Sequence, residues 1–161
     1  MIGFIKRFFA RNAPQLSEGG PRDAAAIAVL HALSFNRGWS EDEVERLLLD
    51  RYTVTHRVAI AGRMVGFIIS RLVHGEAEIL SVAITPARRR KGIGRQLLDL
   101  HLRRLAGLGA RVVFLEVDEN NEAARQLYRH FGFQVAAKRE GYYFGSAGKR
   151  STALVLRCNF P

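Results

Sequence analysis

The chain has 161 residues, 48% apolar and 25% charged, with a formal net charge of +10 at neutral pH. That length supports one domain with a substantial core and is short for two, and so ordinary a composition excludes disordered and fibrous classes. The one cysteine, Cys158, excludes an internal disulfide and any multi-cysteine metal site, and it fits a reducing compartment. The chain opens with Met1-Ile-Gly-Phe-Ile-Lys-Arg-Phe-Phe-Ala10, whose apolar residues are broken by Lys6 and Arg7. This predicts a short amphipathic helix or frayed arm over residues 1–12, with a membrane-surface anchor as the alternative. Residues 12–21 read as a linker or weak first strand. We therefore expect an arm and weak first strand over residues 1–21 and a single domain over 22–161. No stretch approaches the roughly 20 apolar residues needed to cross a bilayer, and a cytoplasmic location is expected.

Ala26, Ile27, Leu30 and Leu33 can share a helical face, predicting a helix over Asp23–Phe35. After a break at Asn36-Arg-Gly-Trp39, Ser40 and Glu43 form a capping box for a helix ending near Leu49. Runs rich in β-branched and aromatic residues at Tyr52–Ile60, Met64–Val73 and Ala77–Ile84 predict two consecutive hairpins. Leu97, Leu98, Leu102 and Leu105 mark a helix from Gln96 to about Gly107–Gly109. Val112–Val117 is a strand with Glu116 inside it. Asn121 can cap a helix from Glu122 to about His130, and Gly132 suits the left-handed position that ends one. Strands at Phe133–Tyr143 and Thr152–Cys158 complete the order. It implies a mixed sheet with helices on both faces, antiparallel at its beginning and end.

Residues 88–95, Arg-Arg-Arg-Lys-Gly-Ile-Gly-Arg, lie between the strand ending at Ile84 and the helix expected from Gln96. Two close glycines permit a tight turn with converging N–H groups, and a helix N-terminus adds unpaired amides and a positive dipole end. With the flanking cations, such a turn suits a pyrophosphate. A Walker loop fails, because Lys91 precedes the glycines and no hydroxyl follows Gly94. A dinucleotide turn is closer, but Leu97 occupies its third glycine position. A third reading is an Arg/Gln-x-x-Gly-x-Gly turn, here Arg89-Arg-Lys-Gly92-Ile-Gly94, which cradles coenzyme A. The bland alternative is a solvated basic helix start.

With the downstream residues added, the chain resembles the GNAT superfamily of N-acetyltransferases, and within it the ribosomal-protein-alanine N-acetyltransferases. The resemblance rests on Glu78–Pro86, Arg89–Arg95, Leu115-Glu-Val117, Asn121–Tyr128 with Phe131-Gly-Phe133, Gly38-Trp-Ser-Glu41 and the pair Tyr142-Tyr143. It implies an α/β (α+β) fold with a mostly antiparallel sheet of six to seven strands, and acetyl-CoA as cofactor. Val82, Ala83 and Ile84 would offer backbone groups to the pantetheine arm. Arg89, Arg90, Lys91, Gly92, Ile93, Gly94 and Arg95 would hold the pyrophosphate, and Asn121 and Tyr128 would contact the cofactor. Glu116 would be the general base and Tyr128 the general acid. Gly141 stands where that branch often has asparagine, and Asp118 where arginine is common.

The chemistry needs such groups. An ammonium must lose a proton, and a departing thiolate needs one. A glutamate in an apolar strand tends toward a usable base, although alone it more often faces water or pairs with an arginine. Asp118, two residues on, shares the face of Glu116 and could help draw in a cationic amine. Asn121 by itself reads as a helix cap, and Tyr128 as a packed core ring that can still aim its hydroxyl at a sulfur. A protein α-amine titrates about 2.5 units below a lysine, roughly 3.4 kcal/mol easier to deprotonate, so a lone carboxylate suits an N-terminus. Trp39, Tyr142 and Tyr143 could wall a groove for an extended peptide. The expected activity is acetylation of a protein N-terminus, the alanine of a small-subunit ribosomal protein. Acetylation of a small-molecule or lysine amine is the enzymatic alternative. A non-catalytic basic ribosome- or nucleic-acid-binding domain is the other. Direct nucleic-acid binding is not expected for the enzyme. No metal is expected either: His31, His56, His74, His101 and His130 lack ligand spacing and are expected on surfaces or helix ends. Cys158 is expected as a small buried hydrophobe, and Ser70 and Ser81 lack a nucleophile context.

Overall fold

The computed structural model describes residues 12–144 and 148–161, so the arm expected over residues 1–12 lies almost wholly outside the described residues. The elements run β1 (Gln15–Glu18), α1 (Ala24–Ser34), α2 (Glu41–Leu49), β2 (Thr53–Ile60), β3 (Arg63–Val73) and β4 (Glu76–Ile84), then α3 (Ile93–Gly107), β5 (Val112–Asp118), α4 (Glu122–His130), β6 (Gln134–Phe144) and β7 (Arg150–Asn159). The strands form one seven-stranded sheet in the order β1-β2-β3-β4-β5-β7-β6. β1 pairs antiparallel with β2, β4 runs parallel to β5 across the α3 connection, and β7 lies antiparallel to both β5 and β6. The mixed, mostly antiparallel α/β architecture follows the sequence expectation, including the weak first strand. Among the described residues no helix is long and apolar enough to cross a membrane.

Two compact units divide the chain: residues up to Ser70 with Ser81–Leu102, and Arg71–Leu80 with Arg103–Pro161. In the first, six successive β3 residues from Val65 to Ser70 are buried. A stretch buried at successive positions is covered on both faces, which is why the run from Val65 to Ile69 lacks polar side chains. Ile27, Val44, Val58, Phe67 and Leu97 form the centre of that core. Ser40 and Glu43 make the expected capping box, with bonds of 2.7 and 3.2 Å between side chain and backbone. The turn after β2 takes positive φ at both Ala61 and Gly62, and the turn after β3 does so at His74 and Gly75. Both are two-residue turns of the kind whose twist matches a hairpin.

In the second unit, β5 alternates. Val113, Leu115 and Val117 are buried, while Phe114, Glu116 and Asp118 are partly exposed on the opposite face. That open face carries the charged side chains discussed next.

Three histidines depart from expectation. His31, His56 and His101 are buried, whereas His74 and His130 are exposed. Each buried ring lies on an apolar period: His31 four residues after Ile27, His101 midway between Leu97 and Leu105, and His56 two before Val58. Within the first unit His101 joins His56 (Nδ1 to Nδ1, 2.8 Å) and Ser70 (2.7 Å) in a buried hydrogen-bonded chain. Cys158 is buried as expected, and burial pushes its thiol up.

Candidate active site

The basic turn is anchored at both ends. Thr85 bonds Val65 through its backbone N–H and its hydroxyl, each at 2.8 Å. A 3-10 turn follows at Pro86–Arg88, and Ile93 is buried at 3% exposure where α3 begins. Between them Arg90 and Gly92 take φ of +59° and +75°. A Cβ on Gly92 would meet nothing within 4 Å, so the left-handed backbone, not crowding, calls for glycine there. One expectation is corrected here. The helix starts at Ile93 and not at Gln96, so Gly94 lies in its first turn. Arg89 turns back, donating from Nε to the Ile84 carbonyl at 2.9 Å, and so acts first as a brace of the turn.

Gln96 N–H bonds the Gly92 carbonyl at 3.1 Å. The amides of Ile93, Gly94 and Arg95 therefore precede the first intrahelical bond and sit at the positive end of the helix. Arg88, Arg90, Lys91 and Arg95 are exposed around them. Converging amides ringed by cations form a donor set that fits a diphosphate. Val82, Ala83 and Ile84 lie in β4 just ahead, past Glu76–Ile79, the described stretch paired with β5.

In the second unit, Glu116 is not an isolated buried carboxylate. Its side chain is 29% exposed, and Oε1 accepts from Arg139 at 2.7 Å. The register explains the meeting. Glu116 faces Val155 on β7, while Arg139 on β6 faces Ala153, two residues along. All four side chains stand on one sheet face, and the small Ala153 lets the guanidinium stem cross β7. Glu116 in turn holds the Arg139 proton more tightly than usual.

Beyond Arg139 the strand bulges. Four steps from Arg139 to Tyr143 oppose only two from Ala153 to Ser151, and Gly141 takes φ of +62°. Among side-chain-bearing residues, asparagine is one of those that tolerate this conformation. The bulge sets the Tyr142 ring against Arg139, 3.9 Å from guanidinium carbon to ring centroid, and Tyr142 against Tyr143 at 5.2 Å. Tyr142 is 44% exposed. Burial first, then the Glu116 charge, holds the Tyr143 hydroxyl protonated above its ordinary range. An open groove of about 460 Å3 adjoins this cluster, lined by Glu76, Glu78, Phe114, Glu116 and Val155 among others.

Tyr128 is buried at 5% exposure, edge-on to Phe133 at 5.7 Å between centroids. Burial pushes its pKa to about 12, with nearby Tyr143 adding to the shift. Asn121 caps α4, accepting the Ala124 N–H at 3.2 Å. The cap uses its amide oxygen and leaves the NH2 end as a separate donor. Asp118 is more committed than expected. Its two oxygens accept the Asn120 N–H (2.9 Å) and the Ser151 hydroxyl (2.6 Å). Trp39 lies in the loop between α1 and α2, stacked on His31 at 4.1 Å. Sequence reasoning missed Arg139, whose only signal was a charged run in a predicted strand, and His31, whose signal was its place on the apolar period of α1. Among the described residues no three His, Cys, Asp or Glu side chains group as a metal site.

The model of the acetyltransferase (GNAT) family matches residues 24–133. The [ribosomal protein bS18]-alanine N-acetyltransferase of Escherichia coli K12 is 33% identical over 118 residues, covering 73% of this chain and 78% of that protein. The crystal structure of the ribosomal-protein-S18-alanine N-acetyltransferase from Escherichia coli superposes with a TM-score of 0.85 at 27% identity, over 91% of this chain and 94% of that one. Ard1 from Thermoplasma volcanium superposes with a TM-score of 0.81 at 26% identity, over 92% and 99%.

Proposed function

The chain belongs to the acetyltransferase (GNAT) family, and from that premise we propose that it acetylates a protein N-terminal α-amine, the alanine of a small-subunit ribosomal protein, with residues 22–161 acting as one catalytic domain. The observation that carries this reading is Glu116, a carboxylate on an open sheet face that already holds a cation between itself and an aromatic ring. An α-ammonium has the same charge as the Arg139 guanidinium and can exchange with it at Oε1. Half-exposed pairs of this kind are worth little net, so the exchange is cheap. Glu116 then takes the ammonium proton, directly or through one water.

Acetyl-CoA, when bound, supplies an activated thioester. The amides of Ile93, Gly94 and Arg95, with Arg90 and Lys91, would hold its diphosphate, and the backbone of Val82, Ala83 and Ile84 its pantetheine arm. The Asn121 NH2 group would donate to it as well. Tyr128 Oη, whose proton burial holds more tightly than usual with a pKa pushed to about 12, would offer it as a hydrogen bond to the departing sulfur. Trp39, Tyr142 and Tyr143 would flank the peptide behind its amine. Support for a peptide acceptor comes from the relatives' printed activity and from the open groove beside Glu116.

A panel of peptides beginning with Ala, Ser, Gly and Met, alongside an α-blocked lysine peptide, tests the acceptor. The reading expects labelled acetyl on the Ala peptide at the highest kcat/KM and none on the blocked peptide. Preferential lysine labelling would sink it.

A further inference from the structure

Trp39 is the only tryptophan in the chain, and its loop is fastened to one side chain. The Trp39 N–H donates to His31 Nδ1 at 3.1 Å, and the indole lies nearly parallel to the imidazole, 14° between planes and 4.1 Å between centroids. Phe35 tilts against the same ring at 4.4 Å, and Phe67 of β3 lies 6.4 Å away. The loop rests directly on α1: a Cβ on Gly38 would come within 2.9 Å of the Ala32 methyl and 3.0 Å of its Cα. His31 is 4% exposed.

An Nδ1 that accepts a backbone N–H belongs to a neutral imidazole with its hydrogen on Nε2. Burial favours that neutral form and holds His31 below its ordinary range, while Glu43 pulls the other way. Glu43 is the charged group facing His31 from α2. From the loop, Arg37 acts on it through its 3.8 Å pair with Glu43, and β3 contributes the uncharged Phe67 ring. Protonation at Nδ1 would set a second N–H against that of Trp39, so the bond would become a repulsion and the loop would lose its anchor.

We propose that His31 is a positioning residue for the acceptor: its neutral ring fixes Trp39 in place, and Trp39 holds the peptide. This rests on the reading above that Trp39 touches the acceptor. The test follows Trp39 emission and the KM for an Ala-terminated peptide between about pH 5 and 7, below the titration of the acceptor amine, in wild type and in His31→Asn. The asparagine puts an oxygen acceptor near the Nδ1 position but cannot titrate. In wild type, emission steps on acidification with a midpoint below 6.5, as the indole leaves the imidazole and its buried seat. Over the same interval KM rises about fivefold, the loss of one neutral hydrogen bond, and kcat changes less. In the variant both curves are flat.

A flat wild-type emission, which needs no variant, overturns the His31–Trp39 lock whatever the substrate. A pH step in KM that persists in His31→Asn overturns the proposal too. An emission step without any KM step removes Trp39 from the acceptor site and the proposal with it. No turnover of any N-terminal peptide, with the emission step intact, sinks the acceptor reading and leaves only the lock.

Discussion

At the scale of single residues, the proposed chemistry depends on who occupies Glu116. Glu116→Gln keeps shape and hydrogen bonding but cannot take a proton, so turnover should fall by about 10²–10⁴, the usual worth of a positioned base. Coenzyme A affinity, measured by titration calorimetry, should stay near wild type. An unchanged rate would remove Glu116 from the mechanism. Arg139 gives the complementary test. It fills the place proposed for the ammonium at 2.7 Å, so Arg139→Gln should lower the acceptor KM, and a raised KM would show that it helps to bind the peptide. Glu116 was legible in the sequence because an acidic residue in an apolar strand stands out. Its partner was not, because the pairing crosses an intervening strand. Two bulged residues in β6 decide which side chain arrives opposite, and no local pattern records that register.

Elements were more legible than their ends. The capping box of α2, the hairpin turns and α4 announce themselves through short-range chemistry: a hydroxyl three residues before a glutamate, a glycine after a strand, an asparagine before a helix. The start of α3 was misplaced because two glycines suggest a turn through both. Only Gly92 takes a positive φ, beside Arg90, and Gly94 is helical. That difference makes a prediction. Gly92→Ala adds no clash, yet it forces an L-residue to φ of +75°, at a cost of about 1–2 kcal/mol in the bound turn. Coenzyme A affinity should fall by roughly tenfold, and Gly94→Ala should cost far less. Equal losses would mean that the second glycine, not the first, shapes the cradle. At the β6 bulge, Gly141→Asn should keep activity while Gly141→Val loses it in an acetylation assay, because asparagine tolerates the left-handed position and a β-branched residue does not.

For the molecule as a whole, the buried histidine chain sets a limit that composition concealed. The net charge of +10 is a sum over the sequence and does not record burial; of the two buried histidines whose pKa is lowered, His101 has the larger part in the acid response of the fold. It is wholly buried, hydrogen-bonded at both ring nitrogens, and burial with the neighbouring His56 lowers its pKa from 6.5 to about 3. An unfolded chain binds a proton there near pH 6.5, and the folded chain does not until about pH 3. The stabilisation is therefore complete above 6.5 and is lost as pH falls toward 3, at a limiting slope on the order of 1.4 kcal/mol per unit. Because His101 lies on α3, the helix that follows the basic turn, loosening it by acid should release the cofactor end of the enzyme early. Thermal denaturation should show a Tm that declines steadily from pH 6.5 to 4. His101→Gln should start from a lower Tm, since it removes a buried partner of Ser70 and His56, but its Tm should decline less over the same range. Parallel curves for the two proteins would assign the acid loss to other groups and leave the histidine chain a packing feature alone.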